Sequence, residues 1–250
     1  MDVVKLHAWG ERNRQKEYYE DYWERGGVIQ GPQLEDKRAF IKEHVGRGKK
    51  VLDVGCGDGY VSSILVGDNE VFGLDIAESA IEEARRRGIK AVVSNLESIP
   101  FPDKSFDVIL ALDILEHLFD PIRVLREAGR VLKDDGILLV SVPNAANIYS
   151  RIIFLLTGEL MDAAEISERR TPEFLFSEHI RFFSANKIRK VLQLTGFKTT
   201  TFRPYLQPYF VNPPYTRFNW LLRVVHLLKL PKVFPSLFST WFLLCAKKYS

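Results

Sequence analysis

The stretch Val51-Leu52-Asp53-Val54-Gly55-Cys56-Gly57-Asp58-Gly59-Tyr60 decides the fold of this chain. Apolar, β-favouring residues lead directly into a turn with a glycine at every second position, and another apolar segment follows. This order predicts a buried strand that delivers a loop of bare backbone against a ligand. A second acid, Asp75, ends the next apolar run about twenty residues later, as in α/β sheets that hold a nucleoside.

The loop departs from the known phosphate-binding patterns. The dinucleotide fingerprint requires a small residue at the position of Tyr60, and no Lys-Ser/Thr pair follows the glycines as in a P-loop. Asp53 stands two residues before the first glycine, where its charge would repel a pyrophosphate and attract a cation. The loop therefore favours a positively charged nucleoside over a dinucleotide.

Three segments together carry a family resemblance: VLDVGCGDG at 51–59, Asp75, and SNLESIPFPDKSFDV at 94–108. With them the sequence resembles the class I S-adenosylmethionine-dependent methyltransferases over roughly residues 18–248. The resemblance implies a Rossmann-like α/β fold with helices on both faces of a seven-stranded, mostly parallel sheet whose last strand is antiparallel. It also implies S-adenosyl-L-methionine as the cofactor and S-adenosyl-L-homocysteine as the product.

The pattern of apolar runs predicts alternating strands and helices, as in a parallel sheet covered on both faces. The predicted strands are 50–54, 70–74, 90–93, 106–111, 136–142, 197–203 and 240–246. The predicted helices are 11–25, 34–46, 59–66, 77–87, 121–132 and 184–195. We expect a single methyltransferase domain over 1–250, with a helical cap at 1–46, a cofactor-binding half at 47–143, and a substrate-side half at 144–250 that includes a helical insertion at 144–180.

The resemblance assigns the first cofactor contacts to the glycine loop and the two acids. The backbone of Gly55 and Gly57 would pass under the methionine part and the ribose, where only glycine allows close approach. Cys56 belongs to the same loop and is interpreted as a small packing residue rather than a nucleophile. Asp53 would lie near the ammonium group or its bound water, and Asp75 would accept hydrogen bonds from both ribose hydroxyls.

Further contacts follow from the same resemblance. Ile76 would pack on the adenine face, and the backbone amide of Leu96 would face the ring. Asn95 would accept a hydrogen bond from the adenine amine, or else cap its own loop. Leu112 and Asp113, at the end of the fourth strand, would lie beside the sulfonium.

Methyl transfer depends on alignment, and a base helps where the acceptor must lose a proton. His117 is the first candidate, because the resemblance places the region after the fourth strand opposite the transferred methyl group. His179 is the second, because its segment closes the insertion. Structural or substrate-orienting roles remain open: His117 can orient a substrate or stabilise a helix start, and His179 with Arg181 can cap the following helix.

We assign no metal ligand from the sequence, but one alternative stays open. Asp113, Glu116, His117 and His179 resemble the acid-x-x-Glu-His set, with a distant histidine, of the ubiquinone-pathway O-methyltransferases and the small-RNA 2′-O-methyltransferases. In those relatives a divalent ion holds the acceptor hydroxyls. Asp113 stands where they have the longer glutamate, which weakens this alternative.

Composition is that of an ordinary enzyme. The 250 residues carry a net charge of +3, and we expect cations to be mixed with acids, so no strong nucleic-acid signal is predicted. The two cysteines, Cys56 and Cys245, are far apart, and the charged amino terminus lacks the apolar core of a signal peptide. These features favour a cytoplasmic protein.

The acceptor is predicted to be a small molecule. The first expectation is methylation on oxygen of a glycan, a lipid-linked compound or a quinone-like compound. The alternatives are an RNA or other nucleic-acid methyltransferase and a non-catalytic adenosyl-ligand-binding protein. Asn212-Pro213-Pro214-Tyr215 spells a motif of amino-directed methylases, but it follows the sixth predicted strand and is interpreted as a turn. Residues 217–238 mix basic and apolar side chains and predict peripheral membrane contact. The oligomeric state stays open.

Overall fold

A computed structural model of the protein describes residues 15–26, 32–158, 179–206 and 219–249. Its strands are β1 (Lys50–Val54), β2 (Glu70–Asp75), β3 (Lys90–Val93), β4 (Phe106–Leu112), β5 (Leu132–Pro143), β6 (Phe197–Tyr205) and β7 (Trp241–Lys248). They form a seven-stranded sheet in the order β3-β2-β1-β4-β5-β7-β6.

Helices alternate with these strands along the chain. They are α1 (15–24), α2 (Pro32–Val45), α3 (Glu78–Arg86), α4 (Pro121–Val131), α5 (Ile148–Thr157), α6 (Ala185–Leu194), α7 (Asn219–Leu227), α8 (Leu230–Val233) and α9 (Pro235–Phe238). Two short 3₁₀ helices span Ser62–Leu65 and Leu115–His117. The described residues include no helix with both the length and the apolar character needed to cross a bilayer.

The strand directions confirm the predicted topology. β1 pairs in parallel with β2 and β4, and β2 pairs in parallel with β3. β7 runs antiparallel between β5 and β6. Because chain order reverses on either side of β1, the carboxyl end of β1 lies at the switch point where α/β sheets bind ligands.

The chain divides into two compact units. The first combines Met1–Leu110 with Arg130–Gly136, and the second combines Ala111–Gly129 with Ile137–Ser250. Fully buried side chains of the first unit include Phe40, Leu52, Leu74, Ile81 and Phe106. Those of the second include Leu125, Leu138, Ile188, Phe197 and Phe242. The predicted division into a cap and two halves stays a prediction.

Several predicted elements differ from the structure; β5, for example, begins at Leu132 rather than at 136. The helix predicted at 59–66 is wrong, because only the 3₁₀ helix at Ser62–Leu65 forms there. Gly57 and Gly59 take positive φ angles of 50° and 74°, which keep the chain in a loop. The predicted helix at 121–132 ends at Val131, since Leu132 already belongs to β5.

Only the beginning of the predicted insertion can be compared with the structure. α5 starts where the Asn147 side chain accepts a hydrogen bond from the Ser150 amide, and it ends at Gly158, which has a left-handed φ of 76°. Residues 159–178 lie outside the described residues, as does the motif at 212–215.

Candidate cofactor site and histidine cluster

The loop after β1 is fixed to the end of the neighbouring strand by its backbone. The amides of Gly55 and Cys56 both donate to the Leu74 carbonyl, at 2.7 and 2.9 Å. A side chain at Gly59, with φ at 74°, would collide with Ile89. The loop therefore keeps its shape because small residues let the backbone turn close to β2.

Asp75 joins this loop to the start of the next helix. Its Oδ2 accepts from the Gly57 amide at 2.8 Å, and its Oδ1 accepts from the Ala77 amide at 3.1 Å. Burial raises the pKa of the Asp75 carboxyl, while these amides and that of Ile76 oppose the rise. Each carboxylate oxygen has a second lone pair, so the group can also accept from a vicinal diol.

Asp53 is the second buried acid of this unit, 3% exposed at the carboxyl-terminal part of β1. Burial raises its pKa to about 7, the Ser62 hydroxyl opposes the rise, and the nearby Asp75 charge adds to it. Burial disfavours ionisation of both carboxyls, and a nearby cation would stabilise their ionised forms. The electrostatics of the first unit therefore suit a positively charged ligand.

Cys56 packs rather than reacts. A side chain at Gly73 would come within 2.7 Å of its sulfur, so the thiol fills the space above that glycine. Burial raises the pKa of the Cys56 thiol well above its usual value, and the charges of Asp75 and Asp53 raise it further. A thiol held neutral in this way is a poor nucleophile.

Two contacts from α1 were not predicted from the sequence. The indole of Trp23 lies on Gly57, where any Cβ would clash with it. The Glu20 carboxylate accepts from the Ser79 amide at 3.1 Å, from the Ser79 hydroxyl at 2.8 Å, and from the Glu78 amide. Glu20 thus caps the amino terminus of α3. The sequence of 11–25 is rich in Tyr and Trp, but nothing in it identifies Gly57 or Ser79 as a partner.

The predicted adenine contacts occupy the ends of β2 and β3. Ile76 is half-buried directly after Asp75, and Asn95 is exposed after β3. Leu96 has a buried side chain and a φ of 62°, which is uncommon for a non-glycine residue. Its amide donates to the Ser94 hydroxyl at 3.4 Å. These positions are compatible with adenine binding, which stays a prediction.

Leu112 and Asp113 belong to the second unit. Leu112 is the last residue of β4, and Asp113 has a φ of 50°. The Asp113 amide donates to the Ser141 carbonyl at 3.1 Å, and its Oδ1 accepts from the Ser141 hydroxyl at 2.6 Å. β5 therefore holds the Asp113 carboxylate in one orientation.

The second unit also brings together the two predicted catalytic histidines. The rings of His117 and His179 have centroids 4.6 Å apart and planes at 65°. Glu116, only 1% exposed, joins them, and one potential ligand atom from each of the three residues lies within 4.8 Å of the others. The Arg181 amide donates to the Glu116 carbonyl at 3.0 Å, which positions the His179 segment.

Two of the alternative interpretations are wrong. Asp113 is not part of the cluster found among the described residues, because its carboxylate is turned to Ser141. Neither His179 nor Arg181 caps α6: Ser184 does, by accepting from the Lys187 amide. Arg181 instead donates to the Phe119 carbonyl at 2.6 Å.

The family of the chain follows from this geometry and from its relatives. The family model described as "Methyltransferase domain" matches residues 28–201, so the chain belongs to that family. It is a member of the class I S-adenosylmethionine-dependent methyltransferases. The buried acids and the glycine loop beside them fit the cationic cofactor of this family.

Two curated relatives cover most of the chain. It is 31% identical over 196 residues to a protein of Mycolicibacterium smegmatis named as an S-adenosylmethionine-dependent methyltransferase, covering 77% of this chain and 66% of the relative. It is 28% identical over 193 residues to the ubiquinone biosynthesis O-methyltransferase of Bordetella bronchiseptica, covering 73% and 78%.

Other matches are shorter or more distant. A Mycobacterium tuberculosis methyltransferase is 37% identical over 99 residues, and the match spans only 36% of that relative's length. Among solved structures, a methyltransferase of Thermotoga maritima superposes with a TM-score of 0.60 at 19% identity, covering 86% of this chain and 89% of that one. This likeness shows the shared fold.

Proposed function

We propose that this protein transfers a methyl group from S-adenosylmethionine to a hydroxyl oxygen of a small acceptor molecule. The observation that carries the cofactor half is the pair of buried acids beside the glycine loop, with Asp75 already oriented by the Gly57 amide at 2.8 Å. A pyrophosphate would meet repulsion there, and a sulfonium nucleoside meets attraction.

The proposed cofactor residues of the first unit contact different parts of the cofactor. Gly55, Cys56 and Gly57 offer backbone to the methionine part, Asp53 faces its ammonium group, and Asp75 accepts from the ribose hydroxyls. Trp23, which lies on Gly57, adds an aromatic wall from α1. Bound there, S-adenosylmethionine supplies a methyl group already activated by its sulfonium.

The glutamate–histidine cluster of the second unit takes the acceptor. The bound cofactor would supply the methyl group to the acceptor oxygen, and an imidazole nitrogen of the cluster would accept the proton that this oxygen loses. His117 is the proposed base and His179 its partner, with the buried Glu116 beside them as the negative charge that stabilises an imidazolium. Oxygen as the acceptor atom is supported by the named activity of the Bordetella relative.

A second candidate is favoured by the same cluster. One carboxylate oxygen and two imidazole nitrogens within 4.8 Å form a donor set that suits several divalent metals. An ion at Glu116, His117 and His179 would supply Lewis-acid activation of the acceptor hydroxyl. In that case the histidines act as ligands, and they must be neutral to bind.

One experiment tests the activity and separates the two candidates. Protein freed of metal by a chelator is incubated with methyl-labelled S-adenosylmethionine and cell extract, and labelled products are identified by mass spectrometry. Activity that survives the chelator and disappears in His117→Ala supports the base. Activity restored only by added magnesium, manganese or zinc supports the metal. Absence of any labelled product, with cofactor binding intact, contradicts catalysis and favours a non-catalytic binder.

We propose a cytoplasmic enzyme that touches a membrane surface through part of residues 217–238. The free, buried thiols of Cys56 and Cys245 suit a reducing compartment. The described part of this segment carries exposed apolar side chains, including Trp220 and Leu227.

A further inference from the structure

Charge is distributed very unevenly along the chain. The last 72 residues, 179–250, contain twelve lysines and arginines and no aspartate or glutamate. The first 178 residues contain all 32 acids and the other 23 basic residues. The expectation that cations are mixed with acids is therefore wrong for the final segment, which has the charge asymmetry of a chain that meets an anionic surface.

Four helices of the second unit share one small core. Tyr149 of α5 packs against the buried Leu206 and Val225, together with Leu230 and Phe238 of α8 and α9. Burial raises the pKa of the Tyr149 hydroxyl to about 12. We call α5, α7, α8 and α9 the outer helical cluster.

The base of the outer helical cluster is fastened to the end of β5. The Asn144 side-chain amide donates to the Ser239 carbonyl at 2.7 Å and to the Ser236 carbonyl at 3.2 Å. Since these bonds join the segment before α5 to the segment around α9, the four helices form one structural element rather than separate projections.

The outer helical cluster also exposes large apolar side chains. Leu155 is 82% exposed and Leu227 is 79% exposed. The exposed apolar set is Ile152, Phe154, Leu155, Leu156, Trp220, Val224, Leu227, Leu228, Val233 and Phe234. So many in one element is unusual for a surface that contacts only water, and it indicates a binding face.

Basic residues accompany the apolar ones. Arg151 lies in α5, Arg223 in α7, Lys229 between α7 and α8, and Lys232 in α8, and no acid occurs within the four helices. A basic and apolar face on helices of ten residues or fewer suits the headgroup region of a bilayer, where short helices lie in the plane of the surface. Nucleic-acid phosphates would match the cations and leave the exposed leucines without a partner.

We propose that the outer helical cluster binds the surface of a bilayer that contains anionic lipids. Its leucines, Phe154 and Trp220 enter the headgroup boundary, while Arg151, Arg223, Lys229 and Lys232 contact lipid phosphates. This deepens the membrane contact proposed above by adding α5 and the charge of the lipid. It is independent of the transfer chemistry, because none of these side chains belongs to the cofactor site or the histidine cluster.

Vesicle flotation of the full chain tests the proposal. We expect the protein to float with vesicles of phosphatidylcholine and phosphatidylglycerol, to stay behind with phosphatidylcholine alone, and to be released by salt. The double variant Leu155→Ser/Leu227→Ser, and separately Lys229→Gln/Lys232→Gln, should each reduce the floated fraction about tenfold or more.

Matched controls come from α6 of the same unit. Leu194→Ser removes a leucine that is 63% exposed, and Lys187→Gln/Lys190→Gln removes two cations, and both should float like the unchanged protein. Circular dichroism and binding of S-adenosylhomocysteine are measured on every variant, so that loss of flotation is separated from loss of fold and from failure of the proposed function.

Three results would overturn the proposal. One is recovery of the unchanged protein only in the soluble fraction with anionic vesicles. Another is a dimer, seen by light scattering, that dissociates in Leu155→Ser/Leu227→Ser, since a second copy of the chain would then cover the exposed apolar residues. The third is retention on RNA or an acidic protein that depends on the lysines but not on the leucines.

Discussion

We predict that Asp53 makes cofactor binding depend on pH, in a direction set by its buried carboxyl. Its carboxyl is buried, and burial raises its pKa from 3.8 to about 7, which corresponds to about 4 kcal/mol of resistance to ionisation. Between these two values the folded, ligand-free protein holds a proton that the unfolded chain has released. Its stability therefore falls as pH rises through this window and levels off above about pH 7.

A cationic ligand has the opposite preference, because it favours the ionised carboxyl. If only the ionised form binds, about one molecule in eleven is competent at pH 6 and about ten in eleven at pH 8. The dissociation constant for S-adenosylhomocysteine, whose ammonium group we propose to lie near Asp53, should then be about tenfold higher at pH 6 than at pH 8.

Isothermal titration calorimetry in two buffers with different ionisation enthalpies measures both the dissociation constant and the number of protons released on binding. We expect the release of about 0.9 proton per ligand at pH 6 and about 0.1 at pH 8. Asp53→Asn, whose amide imitates the protonated carboxyl and should fold, loses this dependence and binds weakly at both pH values. The exposed Asp36→Asn keeps it. A pH-independent affinity of the unchanged protein, or a dependence that survives in Asp53→Asn, would refute the reasoning.

Three further predictions concern single contacts. Gly57→Ala should lose at least about tenfold in cofactor affinity by calorimetry, because φ at 50° is strained for alanine by about 1–2 kcal/mol and the methyl group displaces Trp23. Glu20→Gln should lower the free energy of unfolding in urea by about 1 kcal/mol, because it weakens the cap on α3. His117→Ala should slow methyl transfer about 10²-fold in a labelled-methyl assay while cofactor affinity is retained.

Each of these variants has a control in the same chain. Gly129→Ala meets only ordinary contacts with Phe197 and should leave cofactor binding unchanged. Glu17→Gln removes a glutamate from the exposed side of α1 and should leave stability unchanged. His44→Ala should keep full turnover. If a variant and its control gave the same cofactor affinity, unfolding free energy or transfer rate, the role assigned to that contact would be wrong.

The sheet could be predicted from the sequence because its strands are dense apolar runs with short connections. β1 and β3 begin and end at the predicted residues, and the antiparallel β7 was implied by the family. The helix at 59–66 failed for a local reason. Apolar spacing favoured it, but Gly57 and Gly59 have positive φ angles, and Trp23 and Ile89 leave no room for a side chain there, which sequence periodicity does not report.

The site was predictable where chemistry is local and unpredictable where it depends on distant contacts. Asp53 and Asp75 lie within the carboxyl-terminal parts of β1 and β2, so their positions followed from the strand pattern. The hydrogen bond by which Glu20 caps α3 joins residues 59 positions apart, and neither segment contains a pattern that predicts this pairing. The alternative that grouped Asp113 with the histidines could not be judged from the sequence, because the hydrogen bond of its carboxylate with Ser141 accompanies a left-handed backbone angle.

The central claim is that the loop at 55–59 and the two acids beside it bind a cationic sulfur nucleoside. Calorimetric titration of the unchanged protein and Asp75→Ala with S-adenosylmethionine, which carries the sulfonium charge, tests it most directly. The account predicts one binding site per chain, with affinity reduced tenfold or more by the substitution, since two ribose hydroxyls lose their acceptor. Equal affinity of the two proteins, or no heat with this ligand and clear binding of a nicotinamide dinucleotide, would contradict it.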